Sequence, residues 1–208
     1  MLKINKKILE KSLKYDGNVI LKYHIEYPEI EGSSAGIVNF NKENQKMALD
    51  LQKRSEQELY NEAIKTYKYN KQNGYPLMVF EVNRVFKITL NVDDIVSLYY
   101  DEYIFDGGAH GTTLRTSETW DIRENKKIEL YQLFKNPYFL QNIFKQINSQ
   151  IEKNPSIYFE DNCKMVIDNF NPKSFFITNK GVSVYYQQYD IAPYSSGIPE
   201  FLVSVWGR

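Results

Sequence analysis

The sequence predicts an α+β fold in which antiparallel sheets pack against one long N-terminal helix and one helix in the C-terminal half. Three observations predict it. Apolar residues alternate with a period of two near both ends and in the middle of the chain, which indicates strands. A helical period replaces this alternation over residues 37–71 and again over residues 136–153. Turn signals such as Asp-Gly separate neighbouring strands, so hairpins and antiparallel sheets are expected.

The chain begins with a predicted hairpin that is followed by the long helix. Strands over Leu2–Leu13 and Val19–Tyr27 are joined by "YDGN", because Asp-Gly tolerates the positive φ of a tight turn. The serines of "EGSSAG" can cap a helix, which is predicted over residues 37–71 with a break near Asn41–Asn44. Gly74 suits the position after the last helical turn, and the proline that follows forbids continuation.

The rest of the chain is predicted to consist of strands with two helices between them. Helical spacing over Asn136–Lys153 includes Pro137 near its start, and a shorter helix is predicted over Asn162–Asn169. Segregated hairpins with helices between them are typical of α+β proteins. The predicted strands are Leu77–Val92, Ile95–Phe105, Leu114–Arg123, a hairpin over Ser174–Tyr186, and Glu200–Val205.

Length and composition bound the class of protein. The 208 residues suffice for one large or two small domains, and we predict domains 1–93 and 94–208, which together can form one compact unit. The 26 basic and 26 acidic residues balance, so neither nucleic acid nor an anionic membrane is an expected partner. No apolar run approaches the ~20 residues of a membrane span. Charges interrupt the N-terminus, so the chain is expected to be cytoplasmic unless a leader has been removed.

The least ordinary stretch is "FDGGAHGTT", which places three glycines around one of the two histidines. Gly107 and Gly108 can adopt backbone angles that are closed to other residues, and His110 can donate or accept a hydrogen bond. Three interpretations of this stretch are open: a structural turn, a contact to a ligand or partner, and a metal or catalytic site. The candidate binding residues here are Tyr103, Asp106, Gly107, Gly108 and His110.

A catalytic role for this stretch would need partners for the histidine. His110 with Asp106 or Glu102 would give acid–base chemistry, and an uncharacterised hydrolase of this kind is the alternative to a binding module. The sequence has neither a P-loop nor a dinucleotide-binding pattern. We therefore expect a protein that is not an enzyme and that uses no cofactor.

A metal site and a reactive cysteine are also poorly supported. A metal site would add Asp101 or Asp121 from neighbouring strands, whereas His24 is distant in sequence, and no HExxH or CxxC spacing occurs. Cys163 is the one cysteine, which excludes an internal disulfide. We expect it to be a partly buried small hydrophobe, because neither histidine lies near it in sequence to activate a thiolate.

A second unusual stretch, "YYQQYDIAPYSSGIPEF", lies near the C-terminus. Its proline fixes φ and biases the preceding alanine toward an extended conformation. A rigid loop whose tyrosines cover the edge of the core is one interpretation, and a recognition surface is the other. Tyrosine presents a large area at low entropic cost, and 17 tyrosines exceed what a core of this size needs. The candidate binding residues here are Tyr189, Asp190, Pro193 and Tyr194.

The two motifs together resemble a known family. "YIFDGGAHG" and "YYQQYDIAPYSSGIPEF" are similar to segments in the paired domains of unknown function of RsiV-like, lysozyme-sensing anti-sigma factors and of peptidoglycan deacetylase accessory regions. "IEYPEIEG" and "IELYQLF" extend the resemblance over nearly the whole chain. The resemblance implies an extracytoplasmic, wall-associated setting. In the anti-sigma factors this region binds lysozyme, and in the deacetylases catalysis lies in a separate domain.

Residues and resemblance together predict a non-catalytic binding or sensor module of the bacterial cell envelope. Its expected ligand is a lysozyme-like protein or a peptidoglycan-type glycan. The prediction depends on the two motifs forming docking surfaces rather than housing reaction chemistry.

Overall fold

The computed structural model describes residues 1–204 and confirms the α+β fold class. The strands are β1 (Ile4–Tyr15), β2 (Asn18–Ile30), β3 (Phe80–Val92), β4 (Ile95–Phe105), β5 (Thr112–Asp121), β6 (Lys126–Lys127), β7 (Phe175–Thr178), β8 (Gly181–Tyr185) and β9 (Glu200–Val203). In the described part of the chain, β1 to β6 form a six-stranded sheet in sequence order, and β7 to β9 form a three-stranded sheet. The predicted last strand extended to Val205, which lies outside the described residues.

A long helical segment connects β2 to β3, and two shorter helices precede the small sheet. The segment begins at Ser34, whose side chain accepts a hydrogen bond from the backbone N–H of Ile37, and it ends at Gly74, as the sequence predicts. The helices are α1 (Ala35–Arg54), a π-helical segment (Ser55–Leu59), α2 (Tyr60–Asn73), α3 (Phe139–Ile151) and α4 (Asn162–Asp168).

The predicted break near Asn41–Asn44 is wrong, because both asparagines hydrogen bond within the fold. The Asn41 side chain accepts from the backbone N–H of Ile30 at 2.8 Å and donates to its carbonyl at 2.9 Å, which holds the end of β2. Asn44 donates to the carbonyl of Phe40 one turn earlier, at 2.9 Å. The helix therefore continues through both positions and widens only at the π-helical segment.

The pairing of β2 with β3 is parallel, which the hairpin pattern does not predict. The long helical segment returns the chain to the beginning of the neighbouring strand, and a crossover of this kind is what parallel pairing requires. The pairs β1/β2, β5/β6, β7/β8 and β8/β9 are antiparallel, as expected.

The chain divides into two compact units. Among the described residues, the N-terminal unit contains Leu2–Phe86 and Tyr100–Thr113, and the C-terminal unit contains Met1, Lys87–Tyr99 and residues 114–204. The boundary between domains 1–93 and 94–208 stays a prediction. Within residues 1–204, no helix is both long enough and apolar enough to cross a membrane.

Each unit has its own hydrophobic core. In the N-terminal unit, alternate residues of β2 pack against the long helical segment, and its buried core includes Leu21, Tyr23, Ile25, Leu51 and Ala63. In the C-terminal unit, one face of α3 packs with β8 and β9, because apolar residues recur at helical spacing along α3. The buried core of that unit includes Ile143, Ile147, Ile151, Val182, Val184, Phe201 and Val203.

Glu56, in the π-helical segment, is expected to stabilise the N-terminal unit in a pH-dependent way. Its carboxylate accepts hydrogen bonds from the Tyr23 hydroxyl at 2.7 Å and from Lys11 Nζ at 3.0 Å. These two contacts, with that of Tyr23 the larger, hold the pKa of Glu56 below its ordinary value of 4.5. Because the folded-state pKa is lowered, the stabilisation is present above the unfolded-state pKa and is lost as pH falls through the folded-state pKa.

We expect Glu56→Gln to lower the free energy of unfolding at pH 7 by less than ~1 kcal/mol, since the group is partly exposed. Urea denaturation at pH 7 and pH 3 measures the difference, which should shrink at the acid pH. Glu58→Gln is the matched control, because the Glu58 side chain is 76% exposed. An equal effect of Glu56→Gln at both pH values would contradict the prediction.

Candidate functional site

The glycine–histidine loop, Asp106–Gly111, connects β4 to β5 and is shaped by two close backbone approaches. Gly107 has a φ of +90°, and a Cβ atom there would lie 3.0 Å from the Phe80 ring. A Cβ atom at Gly111 would lie only 2.3 Å from the ring of Tyr103, so the backbone of Gly111 packs directly on that ring. Glycine is thus required at both positions, for conformation at the first and for space at the second.

The histidine of this loop is exposed, and its Nδ1 is engaged locally. His110 Nδ1 donates a hydrogen bond to the Gly111 carbonyl at 3.0 Å. Asp106 and Gly108 are exposed, whereas Tyr103 is half-buried. Glu102 faces the guanidinium of Arg54 in α1, with 3.9 Å between Oε1 and Nη1. Both of these contacts help to fix the loop and its flanking strand.

Other groups considered from the sequence are also located. Cys163 lies exposed at the beginning of α4, so the expectation of a partly buried thiol is wrong. Val166 is the buried residue of this short helix, and the thiol of Cys163 lies at its first turn, 3.5 Å from Oδ1 of Asn162. Among residues 1–204, no group of three or more His, Cys, Asp or Glu residues is arranged to hold a metal ion.

An open depression of about 620 Å³ lies on the N-terminal unit, across β1, β2 and β3. The register places Glu10, His24 and Asn83 opposite one another, and does the same for Ser12, Lys22 and Glu81. Because paired residues of neighbouring strands share a face, these six side chains form two polar rows. The remaining lining residues are Lys11, Tyr23, Val82 and Tyr103.

A network of charged groups borders one end of this depression. Nδ1 of His24 lies 3.2 Å from Oε2 of Glu10, and Nε2 lies 3.4 Å from Oε1 of Glu26. Glu26 is buried and also accepts a hydrogen bond from Lys6 Nζ at 2.6 Å. Both ring nitrogens of His24 therefore face carboxylates. This arrangement anchors the imidazole, and it leaves the depression with donors and acceptors held in fixed positions.

Sequence reasoning missed this depression, although it had part of the signal. The alternation of β2 puts Lys22, His24 and Glu26 on one face. The partners on β1 and β3 lie far from them in sequence, and the parallel pairing that brings β3 alongside was not predicted. Of the candidate residues, only Tyr103 lines the depression.

An exposed apolar strip begins near the end of α2 and continues beyond it in the same unit. Tyr69, Tyr75, Leu77 and Met78 are each at least 38% exposed, and the rings of Tyr69 and Tyr75 lie 6.0 Å apart. The strip adjoins the glycine–histidine loop, because a Cβ atom at Gly107 would lie 3.6 Å from the sulfur of Met78. Contiguous exposed apolar residues of this kind are typical of protein contact surfaces.

The C-terminal motif, Tyr185–Phe201, belongs to the C-terminal unit. Its Ile191 and Ala192 are buried in the core, and Pro193 precedes a single 3₁₀ turn that begins at Tyr194. The carboxylate of Asp190 accepts a hydrogen bond from the backbone N–H of Gln187 at 2.7 Å. Burial raises the pKa of Asp190, and that hydrogen bond offsets part of the increase.

The half-buried Gln187 and the buried Tyr186 fix the beginning of the motif. The Gln187 amide pairs with the backbone of Arg115 in β5, accepting from its N–H at 2.9 Å and donating to its carbonyl at 2.7 Å. The Tyr186 hydroxyl donates to the Val166 carbonyl at 2.8 Å, and burial strongly raises the pKa of this phenol. The motif is therefore anchored to β5 and α4, while Tyr189 remains 54% exposed.

The fold and these surfaces define an α+β protein with an open polar depression in one unit and an exposed tyrosine motif in the other. Residues 15–113 match the family described as "Deacetylase PdaC", and residues 131–205 match the family described as "Protein of unknown function (DUF3298)". The resemblance seen in the sequence is confirmed at the level of these two domain families. A specific likeness to RsiV-like anti-sigma factors stays a prediction.

Two solved structures have a similar fold. A member of the DUF3298 family from Bacteroides fragilis NCTC 9343 has a TM-score of 0.71 and 14% identity, over 98% of this chain and 90% of that one. A DUF3298 family protein from Pseudomonas aeruginosa PAO1 has a TM-score of 0.65 and 17% identity, over 97% of this chain and 91% of that one. At these identities the likeness concerns the fold alone. No curated protein matches this chain.

Proposed function

We propose that this protein is a non-catalytic binding module of the bacterial cell envelope that recognises a peptidoglycan-type glycan. The observation that carries the proposal is the open polar depression of the N-terminal unit. Its volume lies within the usual range for small-molecule sites. The match of residues 15–113 to a family named for a deacetylase supports the envelope setting and carries no activity to this chain.

The lining of the depression suits a sugar. Its two rows present an amide, a hydroxyl, two carboxylates, an ammonium group and an imidazole at fixed strand spacing. A glycan offers adjacent hydroxyl and acetamido groups that both donate and accept, so such a grid can satisfy them together. Tyr103 adds an aromatic surface for the apolar face of a pyranose ring.

A protein ligand of the lysozyme type is the second candidate. This candidate is favoured by the exposed apolar strip of Tyr69, Tyr75, Leu77 and Met78. Tyrosine and methionine are enriched at protein–protein interfaces, and the flexible methionine side chain can pack against surfaces of different shape. The strip adjoins the glycine–histidine loop, which holds the candidate residues Asp106, Gly107, Gly108 and His110. A protein that docks here would contact both segments.

The hydrolase alternative stays a prediction. It would require His110 to act with Asp106 or Glu102, whereas Nδ1 of His110 is hydrogen bonded to Gly111 and Glu102 faces Arg54. Both contacts engage the groups that would have to transfer protons, and neither brings His110 together with a carboxylate. We therefore propose the binding module.

The experiment compares ligands and variants by isothermal titration calorimetry. The wild type is titrated with purified muropeptides and, separately, with lysozyme. The double variant Glu81→Ala/Asn83→Ala removes two exposed groups of the depression, and we expect it to lower muropeptide affinity about tenfold. Asn61→Ala, an exposed asparagine of α2, is the matched control and should bind like the wild type.

Each outcome separates the candidates. Muropeptide binding that the double variant retains in full would exclude the depression as the site. Lysozyme binding without muropeptide binding would replace the first candidate with the second. Binding to neither ligand would reject both candidates.

A further inference from the structure

The turn at Gln187–Asp190 contains a tyrosine in a backbone conformation that tyrosine rarely adopts. The backbone N–H of Asp190 donates to the Gln187 carbonyl at 3.1 Å, which closes a four-residue turn. Tyr189 is the third residue of this turn and has a φ of +70°. Turns with positive φ at that position favour glycine or asparagine there, because a bulky side chain is strained.

The strain is not explained by packing of the Tyr189 side chain into the core. The side chain is 54% exposed, whereas Ile191 and Ala192, two and three residues later, are buried. The hydrogen bonds that hold the turn come from the backbone and from Asp190, and any residue at position 189 would permit them. Backbone strain that the fold does not need is typical of residues that serve a function.

The ring of Tyr189 instead forms a pair at the surface. Its centroid lies 5.8 Å from that of Tyr194, with an angle of 35° between the two planes. The φ of Tyr189 and the proline-fixed backbone before Tyr194 bring these two rings together. The outcome is an aromatic surface, partly open to solvent, on a loop that is anchored at both ends.

The C-terminal motif that holds this pair carries two formal charges, Asp190 and Glu200. Asp190 is the one formal charge within the turn, and its carboxylate is directed to the backbone N–H of Gln187. The Asn169 amide donates to the Asp190 carbonyl, and the residues after Tyr194 are two serines. An aromatic surface flanked by amides and hydroxyls suits the apolar face and the hydroxyl rim of a neutral sugar ring.

We propose that Tyr189 and Tyr194 form a stacking platform for pyranose rings of a neutral polysaccharide. This platform is a second carbohydrate site, located in the C-terminal unit, and it does not depend on the depression of the N-terminal unit. The strained backbone of Tyr189 is retained because it orients the ring for the ligand. The residue therefore trades stability of the fold for binding.

The experiment uses chitotetraose as the probe, with binding measured by calorimetry and stability by thermal denaturation. Tyr189→Gly removes the ring and relieves the strain. We expect it to melt at the same or a higher temperature than the wild type, and to bind at least about tenfold more weakly. Tyr189→Phe keeps the ring face and should bind within about threefold of the wild type. Tyr194→Ala should lose affinity as Tyr189→Gly does.

The matched control is Tyr131→Ala, which removes a tyrosine that is 62% exposed in the same unit and should leave binding unchanged. All variants are also measured in the Glu81→Ala/Asn83→Ala background, so that a site in the depression is not confused with the platform. The proposal is overturned if Tyr189→Gly binds chitotetraose as tightly as the protein that keeps Tyr189. It is also overturned if the protein that keeps both tyrosines does not bind chitotetraose, with or without the Glu81→Ala/Asn83→Ala substitutions. A lower melting temperature for Tyr189→Gly overturns the argument from strain.

Discussion

Replacing Arg115 with alanine is expected to lower the free energy of unfolding by about 3 kcal/mol, the largest effect that we predict for one residue. Arg115 is buried, and its guanidinium lies 3.9 Å from the centroid of the Tyr99 ring. The same group forms an ion pair with Glu200 in β9. The alanine variant removes the cation–π contact, the ion pair and the packing volume at once, and it leaves a cavity beside the aromatic ring.

The matched control for this prediction is Arg123→Ala. Arg123 also forms an ion pair, with Asp94 at 2.7 Å, but its side chain is 71% exposed. Exposed ion pairs contribute little to stability, because water and salt screen them. Urea denaturation of both variants at neutral pH gives the comparison. Equal losses for the two arginines would show that burial of Arg115 does not determine its contribution.

The contacts of Arg115 also explain why the C-terminal motif is rigid. The Gln187 amide holds the backbone of Arg115, and the Arg115 side chain holds Glu200 at the end of the motif. The ring of Tyr99 in turn lies 5.0 Å from that of Phe176 in β7. The buried Arg115 and the ring of Tyr99 beside it therefore connect β4, β5, β7 and β9 within the C-terminal unit. Loss of this connection should loosen the turn that carries Tyr189.

Local patterns predicted the elements of this fold well. β4 has the predicted bounds, Ile95–Phe105, and Gly74 ends the long helical segment as expected. These features depend on residues close in sequence, such as an alternating run or a glycine after a helix. The predictions fail where a partner that is distant in sequence determines the local structure. Asn41, for example, hydrogen bonds to the end of β2 and does not break the helix.

The candidate site was predicted only in part, for the same reason. The glycine–histidine loop and the C-terminal motif stood out because glycine, proline and clustered tyrosine are local signals. The depression depends on register between β1, β2 and β3, and residues 10, 24 and 83 meet only through a parallel crossover. No local pattern specifies that crossover. Arg115 likewise has no local signal, because its partners Tyr99 and Glu200 lie elsewhere in the sequence.

The second large effect is expected from Gly111→Ala, which tests the close approach of the loop backbone to Tyr103. A Cβ atom would lie 2.3 Å from the Tyr103 ring, far inside van der Waals contact, so either the ring or the loop must move. Such overpacking costs about 1–3 kcal/mol. The ring lines the depression, so its displacement should also weaken muropeptide binding in the calorimetric titration.

Gly108→Ala is the matched control within the same loop. A Cβ atom at this position would lie 3.7 Å from its nearest neighbour, which is ordinary van der Waals contact. The φ of Gly108 also lies outside the left-handed region. Its free energy of unfolding should stay within about 0.5 kcal/mol of the wild type. A loss of stability and affinity in Gly111→Ala alone would show that the third glycine, rather than flexibility of the loop, positions the Tyr103 ring. Equal behaviour of the two variants would contradict this, because Tyr103 would then keep its position without the close approach of Gly111.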